Sequence, residues 1–413
     1  MIFKEKNNYG LIVFLSTMSG ICGLSYQILY SRILSTYFGS ISYVAAAIIG
    51  GFLLGIAIGP LIARRMTPFI AHVEAMVGVT GLVAGIFFLT MGSQPLVWVG
   101  GIAESPLLIS LCAGLIIAVP ALLIGLSLPL FAIYLRYANQ SADDYDGFRV
   151  GYLFYNLGAA ICVLLVELVL VFSLGIGGST IAIAVLNLIV AGALYRYLQR
   201  PPESFFEAEL KIRMPMEHYR KTGLIVSGAL SGIFQILYLK AALHVWGPTT
   251  LTVASVITSA FFGIAIGSAL IDRVRISFGQ VLLACGFTIA LLFVSFESII
   301  VAWSYVAAWA SETYGFENLY LFQSLFVILV GLPVFILLGS TEPAIMKGRS
   351  GAVFEGGKVL SMSAFANAAG VFLMIFWMHE RTEDHIMLMG LSVIFLAIGL
   401  MTEWKEGRSH VKA

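Results

Sequence analysis

The sequence predicts an all-α membrane protein of about 12 transmembrane helices, built from two sequence-related halves. Three observations predict this class: the composition, the long apolar runs and an internal repeat. Of the 413 residues 60% are hydrophobic and only 11% are charged, and the mean hydropathy is +0.97. A soluble globule has roughly 45–50% apolar and about 25% charged residues. Lipid must therefore be the solvent for most of this chain.

The apolar runs are long enough to cross a bilayer, whose core of about 30 Å needs roughly 20 residues of helix. In chain order the predicted spans are 9–35, 41–63, 70–92, 106–135, 149–173, 177–198, 223–245, 249–271, 279–310, 319–346, 359–378 and 385–402. These runs lack the period-2 alternation of a membrane barrel, so helices are predicted. The first run continues past Gly20, which favours an uncleaved span over a signal peptide.

The basic residues predict the orientation. All but three of the 23 Lys and Arg residues fall at one set of span ends, and Arg32, Lys240 and Arg381 fall at the other. Basic residues concentrate on the cytoplasmic side of membrane proteins. Both termini are therefore predicted to be cytoplasmic, which requires an even number of spans.

The internal repeat aligns residues 19–65 with residues 227–273 without a gap. The run Gln27–Tyr30 (QILY) recurs as Gln235–Tyr238, and the GIAIG run from Gly55 recurs from Gly263. Chance similarity between apolar helices would not reproduce a shared Gln and Tyr in one register.

The repeat also predicts the domain organisation. Each half holds six spans, so both halves have the same orientation, as in the parallel 6+6 repeat of major facilitator transporters. We predict an N-terminal bundle at 1–199, a cytoplasmic linker at 200–222 and a C-terminal bundle at 223–413.

Polar side chains within the first and seventh spans are candidate substrate ligands, because polar groups inside a membrane are costly. They are Tyr26, Gln27, Tyr30, Gln235 and Tyr238. In a facilitator-like bundle they would face one another across a central cavity. The alternative is that they join neighbouring helices by hydrogen bonds.

Arg32 and Lys240 occupy matching positions slightly nearer the outer ends of the same spans. They could attract an anion at the cavity mouth, or pair with Glu167 or Glu297. Snorkelling to the lipid headgroups is the simpler explanation.

Glu342, Glu167 and Glu297 are the candidate coupling residues, and for Glu342 the reason is that burial of a carboxyl in the tenth span would allow it to carry a proton. The alternative for Glu342 is an interfacial ion pair with Lys347. Asn156 and Asn367 occupy matching places in the fifth and eleventh spans, where they could contact substrate or bond neighbouring helices.

No cofactor, metal or nucleic-acid site is predicted. The four cysteines fall inside spans at unrelated spacings and suit buried apolar positions. His379, Glu380, Asp384 and His385 suit a solvated loop better than a metal site.

Five segments carry a family resemblance: Gly23–Leu34 (GLSYQILYSRIL), Phe38–Ser40 (FGS), Gly55–Gly59 (GIAIG), Gly125–Leu130 (GLSLPL) and Tyr155–Ala159 (YNLGA). Together they resemble the membrane portion of the spermidine-synthase-like, major-facilitator-fused bacterial proteins. The resemblance implies a bacterial inner-membrane protein and hints at a polyamine or related solute. That family commonly has a Glu where this chain has Gln27. Many relatives carry a soluble aminopropyltransferase domain, which we expect to be absent here, so no enzyme activity is expected.

The leading hypothesis is a secondary transporter that works by alternating access, driven by a proton gradient, with a small polar or charged solute. The alternative is a non-transporting subunit that anchors a separate enzyme or electron-transfer complex, with a packed interior. A membrane-embedded enzyme would need a nucleophile or metal cluster that the sequence does not show.

Overall fold

The computed structural model describes residues 8–38, 42–91, 106–139, 144–211, 216–271, 273–274, 276–347, 353–378 and 383–412. Within them the chain is helical, without a strand. The first half contains α1 Asn8–Phe38, α2 Ser42–Met66, α3 Ile70–Met91, α4 Pro106–Asn139, α5 Asp144–Leu165 and α6 Val171–Tyr197. A π-helical turn, Val166–Leu170, joins α5 to α6, and α7 Glu203–Lys211 lies in the linker.

The second half contains α8 His218–Trp246, α9 Thr250–Leu270, α10 Phe278–Val294, α11 Phe296–Tyr314, α12 Leu319–Gly339, α13 Thr341–Met346, α14 Val353–Leu373 and α15 Asp384–Lys412. A short 3-10 turn precedes α12 and a π-helical turn follows α14. The basic residue Arg381, and His379 and Glu380 of the rejected metal motif, lie outside the described residues.

Ten of the described helices are long and apolar enough to cross a membrane, or eleven if α10 and α11 count as one broken span. Those two meet at 62°, so the predicted span 279–310 is bent rather than straight. One of the ten runs over 51 residues, Gly147–Tyr197, which is more than twice the bilayer thickness. Gly175 breaks this long helix with a φ of 67°. If it is divided there, and if α10 and α11 count as one broken span, the total is twelve, as predicted.

The two halves repeat one pattern of helix packing. In the first half α1 packs on α5, α2 on α4, and α3 on α6. In the second half α8 packs on α14, α9 on α12, and α10 on α15. The halves meet along two contacts, α2 with α14 and α5 with α9. The duplication read from the sequence is therefore also a duplication of structure.

Glycines allow the closest of these pairs to form. A Cβ on Gly158 of α5 would overlap the carbonyl oxygen of Thr17 on α1. A Cβ on Gly370 of α14 would likewise overlap the carbonyl oxygen of Ala229 on α8. Small residues let membrane helices approach backbone to backbone, where lipid offers no hydrophobic driving force.

We expect Gly158→Ala to destabilise the protein, because the added methyl group meets backbone that cannot rotate away. Overpacking of this kind costs about 1–3 kcal/mol. Gly192→Ala is the matched control, since no atom lies within 4 Å of a Cβ there. Thermal unfolding of both variants in detergent is the measurement. Equal melting temperatures would show that α1 and α5 are not tightly packed.

Candidate central cavity

A cavity of about 140 Å³, here called the central cavity, lies between the two halves. Residues of α2, α4 and α5 line one side, and residues of α8, α9, α12, α13 and α14 line the other. Its polar lining residues are Tyr152, Tyr155, Asn156, Ser227, Ser231, Gln235, Thr341, Glu342, Ser363 and Asn367. Four of the predicted site residues therefore line the central cavity together: Asn156, Asn367, Gln235 and Glu342.

The two asparagines reach the cavity from opposite bundles. Asn156 Nδ2 donates to the carbonyl oxygen of Tyr152 at 2.6 Å, one turn earlier on α5. Asn367 Oδ1 is buried and accepts no hydrogen bond from the described residues. A buried acceptor without a donor is costly, so a ligand that brings an N–H or O–H group would stabilise this position.

Glu342 is held by hydroxyl groups from both bundles. Its carboxylate accepts from Ser363 Oγ at 2.6 Å, and Thr341 Oγ1, which donates to the Leu338 carbonyl oxygen at 2.6 Å, lies 3.1 Å from Glu342 Oε2. The Tyr152 hydroxyl of α5 also hydrogen-bonds with it. The alternative ion pair with Lys347 is wrong: Lys347 Nζ instead donates to the carbonyl oxygens of Ile271 at 2.6 Å and Val274 at 3.2 Å.

The three predicted tyrosines point away from the central cavity. Tyr26 is buried against Gly81 of α3, and Tyr30 packs edge-on to Phe88 with ring centroids 5.2 Å apart. Tyr238 donates its hydroxyl to the carbonyl oxygen of Val327 on α12. Their placement across a cavity is therefore wrong. Each joins two helices of its own bundle, which was the alternative.

The two repeated glutamines occupy different environments. Gln235 is half-buried on the central cavity. Gln27 is 3% exposed, and it lines neither of the cavities described here. Its Oε1 accepts no hydrogen bond from the described part of the chain. The prediction of a matched pair across the cavity is therefore wrong for Gln27.

A larger cavity of about 680 Å³, here called the outer cavity after the predicted orientation, lies between α1 and the α8–α9 region. Arg32 lines it and forms a two-pronged ion pair with Glu167, with Nε 2.8 Å from Oε1. Arg32 Nη2 also donates to Thr250 Oγ1 of the other bundle at 2.8 Å. The π-helical turn that carries Glu167 is a feature frequent at functional sites. Of the open alternatives for Arg32, pairing with Glu167 is the one the structure shows.

The remaining outer charges lie elsewhere. Lys240 Nζ pairs with Asp384 Oδ1 at 2.6 Å, across from α8 to α15. Glu297 is exposed and lines neither cavity. The suggestion that Lys240 pairs with Glu167 or Glu297 is therefore wrong.

Ion pairs close the opposite end, here called the inner end, where Arg64 and Glu355 lie. Arg64 Nη1 of α2 is 3.2 Å from Glu355 Oε1 of α14. Glu209 of α7 pairs with Arg136 of α4 and lies 3.4 Å from the backbone N of Val353. Sequence reasoning did not find these links, because Arg64 and Glu355 are 291 residues apart.

Glu74 is a second buried carboxyl that sequence reasoning missed. It is 1% exposed inside the first bundle. Its Oε1 accepts from Ser19 Oγ at 2.8 Å and its Oε2 from Asn187 Nδ2 at 2.9 Å. Its position only four residues into α3 resembles that of an ordinary interfacial acid. The sequence did carry one signal: Glu74 lies within about one turn of a span end, and neighbouring spans carry polar residues.

We expect Glu74→Leu to destabilise the first bundle, because Ser19 Oγ and one N–H of Asn187 lose their buried carboxylate acceptor, while Asn187 Nδ2 keeps only the backbone carbonyl oxygen of residue 74. Each such group costs about 1–3 kcal/mol. Glu74→Gln should lose less, since it keeps an acceptor. Thermal unfolding in detergent tests this, with Glu207→Leu on the exposed face of α7 as control. A Glu74→Leu protein as stable as that control would contradict a structural network at Glu74.

Comparison with known proteins places the fold. No protein-family model and no curated protein matches the chain. Among solved structures it is similar to the E. coli fucose:proton symporter FucP, at 13% identity over 97% of this chain and 99% of that one, with a TM-score of 0.56. The proton:xylose symporter XylE, a major facilitator superfamily protein, matches at 13% identity over 97% and 96%, with a TM-score of 0.55. A bacterial homologue of the iron transporter ferroportin, in an outward-facing state, matches at 15% identity over 98% and 100%, with a TM-score of 0.54.

The chain is thus a multi-pass membrane protein with the major facilitator fold, which confirms the predicted fold class. These neighbours are named as two proton symporters and a homologue of an iron transporter. The predicted orientation and bacterial location stay predictions.

Proposed function

We propose that the protein is a secondary transporter that moves a small polar solute by alternating access. The observation that carries this is the central cavity, a polar space that both bundles line and that lies at their interface. The competing hypothesis of a non-transporting anchor subunit requires a packed interior, so the two cavities favour transport.

The cavities lie in sequence along one path. On α9 the lining of the outer cavity ends at Ile257, and the lining of the central cavity begins at Ala260, less than one helical turn further in. Beyond the central cavity, Gly356 and Gly357 of α14 pack on Phe148 of α5 and on Pro60 of α2. The described arrangement therefore suits a state in which solute enters from the outer side and meets a closed inner end.

The inner closure can be reversed at modest cost. While the inner end is closed, Arg64 is partly exposed and Glu355 is buried. Arg64 and Glu355 would be solvated as soon as the bundles part, so breaking the pair does not strand a buried charge. Solute binding in the central cavity needs to shift the balance between the two states by only a few kcal/mol.

Glu342 is our candidate for proton coupling, since its ligands come from both bundles and it is in contact with the cavity. The resemblance to spermidine-synthase-like membrane proteins adds polyamines to the solutes worth testing. A soluble or membrane partner protein remains compatible with this proposal, although transport does not require one.

The test is uptake or counterflow in proteoliposomes with a panel of sugars, nucleosides, amines, amino acids and organic anions. Gln235→Ala should raise the apparent KM of the transported solute about 2- to 10-fold, the equivalent of one lost hydrogen bond of about 0.5–1.5 kcal/mol. Gln199→Ala makes the same chemical change at an exposed position outside the cavity and should leave KM unchanged. Absence of flux for every solute would contradict transport, and an unchanged KM in Gln235→Ala would contradict this cavity as the binding site.

A further inference from the structure

The central cavity has an unbalanced charge. Glu342 is the one Asp, Glu, Lys, Arg or His among the described residues that line it. A carboxylate buried without a compensating charge is strongly disfavoured. Glu342 must therefore hold either a proton or a cation whenever the cavity is closed to water.

The basic residues that could have favoured binding of an anion form ion pairs outside the central cavity. Arg32 is bound to Glu167, Lys240 to Asp384, and Arg64 to Glu355. None of them lines the central cavity. An anion entering this space would meet a carboxyl group and no positive charge.

The groups around Glu342 suit exchange between two partners. Its ligands Ser363, Thr341 and Tyr152 are all hydroxyls, which can rotate to donate to a carboxylate or to accept from a carboxylic acid. Tyr152 and Tyr155 are the other titratable groups on the cavity. The remaining nearby charges are occupied: Lys347 caps carbonyl oxygens, and Glu355 is bound by Arg64 and Lys358.

The other lining groups are complementary to an organic cation. The aromatic rings of Tyr152, Tyr155, Phe261 and Phe335 line the same space, and such rings attract alkylammonium groups. Asn367 Oδ1 supplies an acceptor to which no described residue donates. One carboxylate balances one positive charge, so a polyamine would keep its further charges buried and uncompensated.

We propose that the central cavity binds a small organic monocation and that this cation and a proton compete for Glu342. In the exchange the neutral carboxylic acid releases its proton to water, and the resulting carboxylate pairs with the cation. No covalent bond other than O–H changes. The inference rests on the proposed transport function and makes the protein a cation–proton exchanger.

The first test measures proton release by detergent-purified protein in weakly buffered solution with a pH indicator. The probes are tetramethylammonium, benzyltrimethylammonium and tetraphenylphosphonium, which carry no titratable proton. We expect about one proton per chain from a probe that fits, at a pH where Glu342 is protonated, and none from benzenesulfonate. Glu342→Gln should abolish the release and Glu342→Asp should retain it. Glu297→Gln, on a carboxyl outside the cavity, should behave like the wild type.

Failure of this inference is distinguishable from failure of the proposed function. Flux of a neutral solute or an anion, with no proton release for any cation, would overturn cation exchange and leave transport standing. Proton release that needs Glu342, without flux of any solute, would support the site and overturn transport. Proton release that persists unchanged in Glu342→Gln would overturn the assignment of the site. If that variant does not fold, the number of protons released per wild-type chain still tests the assignment.

Discussion

The requirement that every buried charge find a partner inside the protein governs this structure, because lipid supplies none. Glu167, which is buried, satisfies it at the outer end by pairing with Arg32. Arg64 with Glu355 satisfies it at the inner end. Glu74 satisfies it with neutral donors in the first bundle. Glu342 differs from all of these in position, since it is the one acidic or basic residue among the described residues that line the central cavity.

The two halves share one backbone arrangement but differ in the side chains that it carries. The helix pairs α1–α5 and α8–α14 both approach closely through glycines. Tyr30 joins α1 to α3, whereas Tyr238 joins α8 to α12, the counterpart of α4. Gln27 and Gln235 have diverged in environment, and the buried carboxyls Glu74 and Glu342 have no equivalent in the other half. A symmetric scaffold therefore holds an asymmetric cavity, as recognition of an asymmetric solute requires.

Much of the fold could be predicted from the sequence because its determinants are local or repeated. The length of the apolar runs predicted the spans, and the gapless repeat predicted the 6+6 arrangement. The length of the span 279–310 allowed for a break, and Ser295, Glu297 and Ser298 interrupt its apolar run, but nothing local in the sequence gives the 62° angle between α10 and α11.

The site was predictable only in part. Glu342, Asn156, Asn367 and Gln235 stood out because polar groups are rare in membrane spans, and all four line the cavity. Helical spacing alone could not tell which face of α1 meets another helix, so Tyr26 and Tyr30 were misplaced. Ion pairs such as Arg64 with Glu355 leave no local signal, because they depend on how the two bundles meet.

The claim that the bundles pivot about the central cavity is tested most directly by joining them at the inner end. A Cβ on Gly357 would lie 3.5 Å from the Pro129 Cβ, at the edge of the range of about 3.5–4.5 Å in disulfides. With the four native cysteines replaced, Pro129→Cys with Gly357→Cys should lose flux in proteoliposomes on oxidation and regain it on reduction. Undiminished flux through fully cross-linked protein would contradict alternating access.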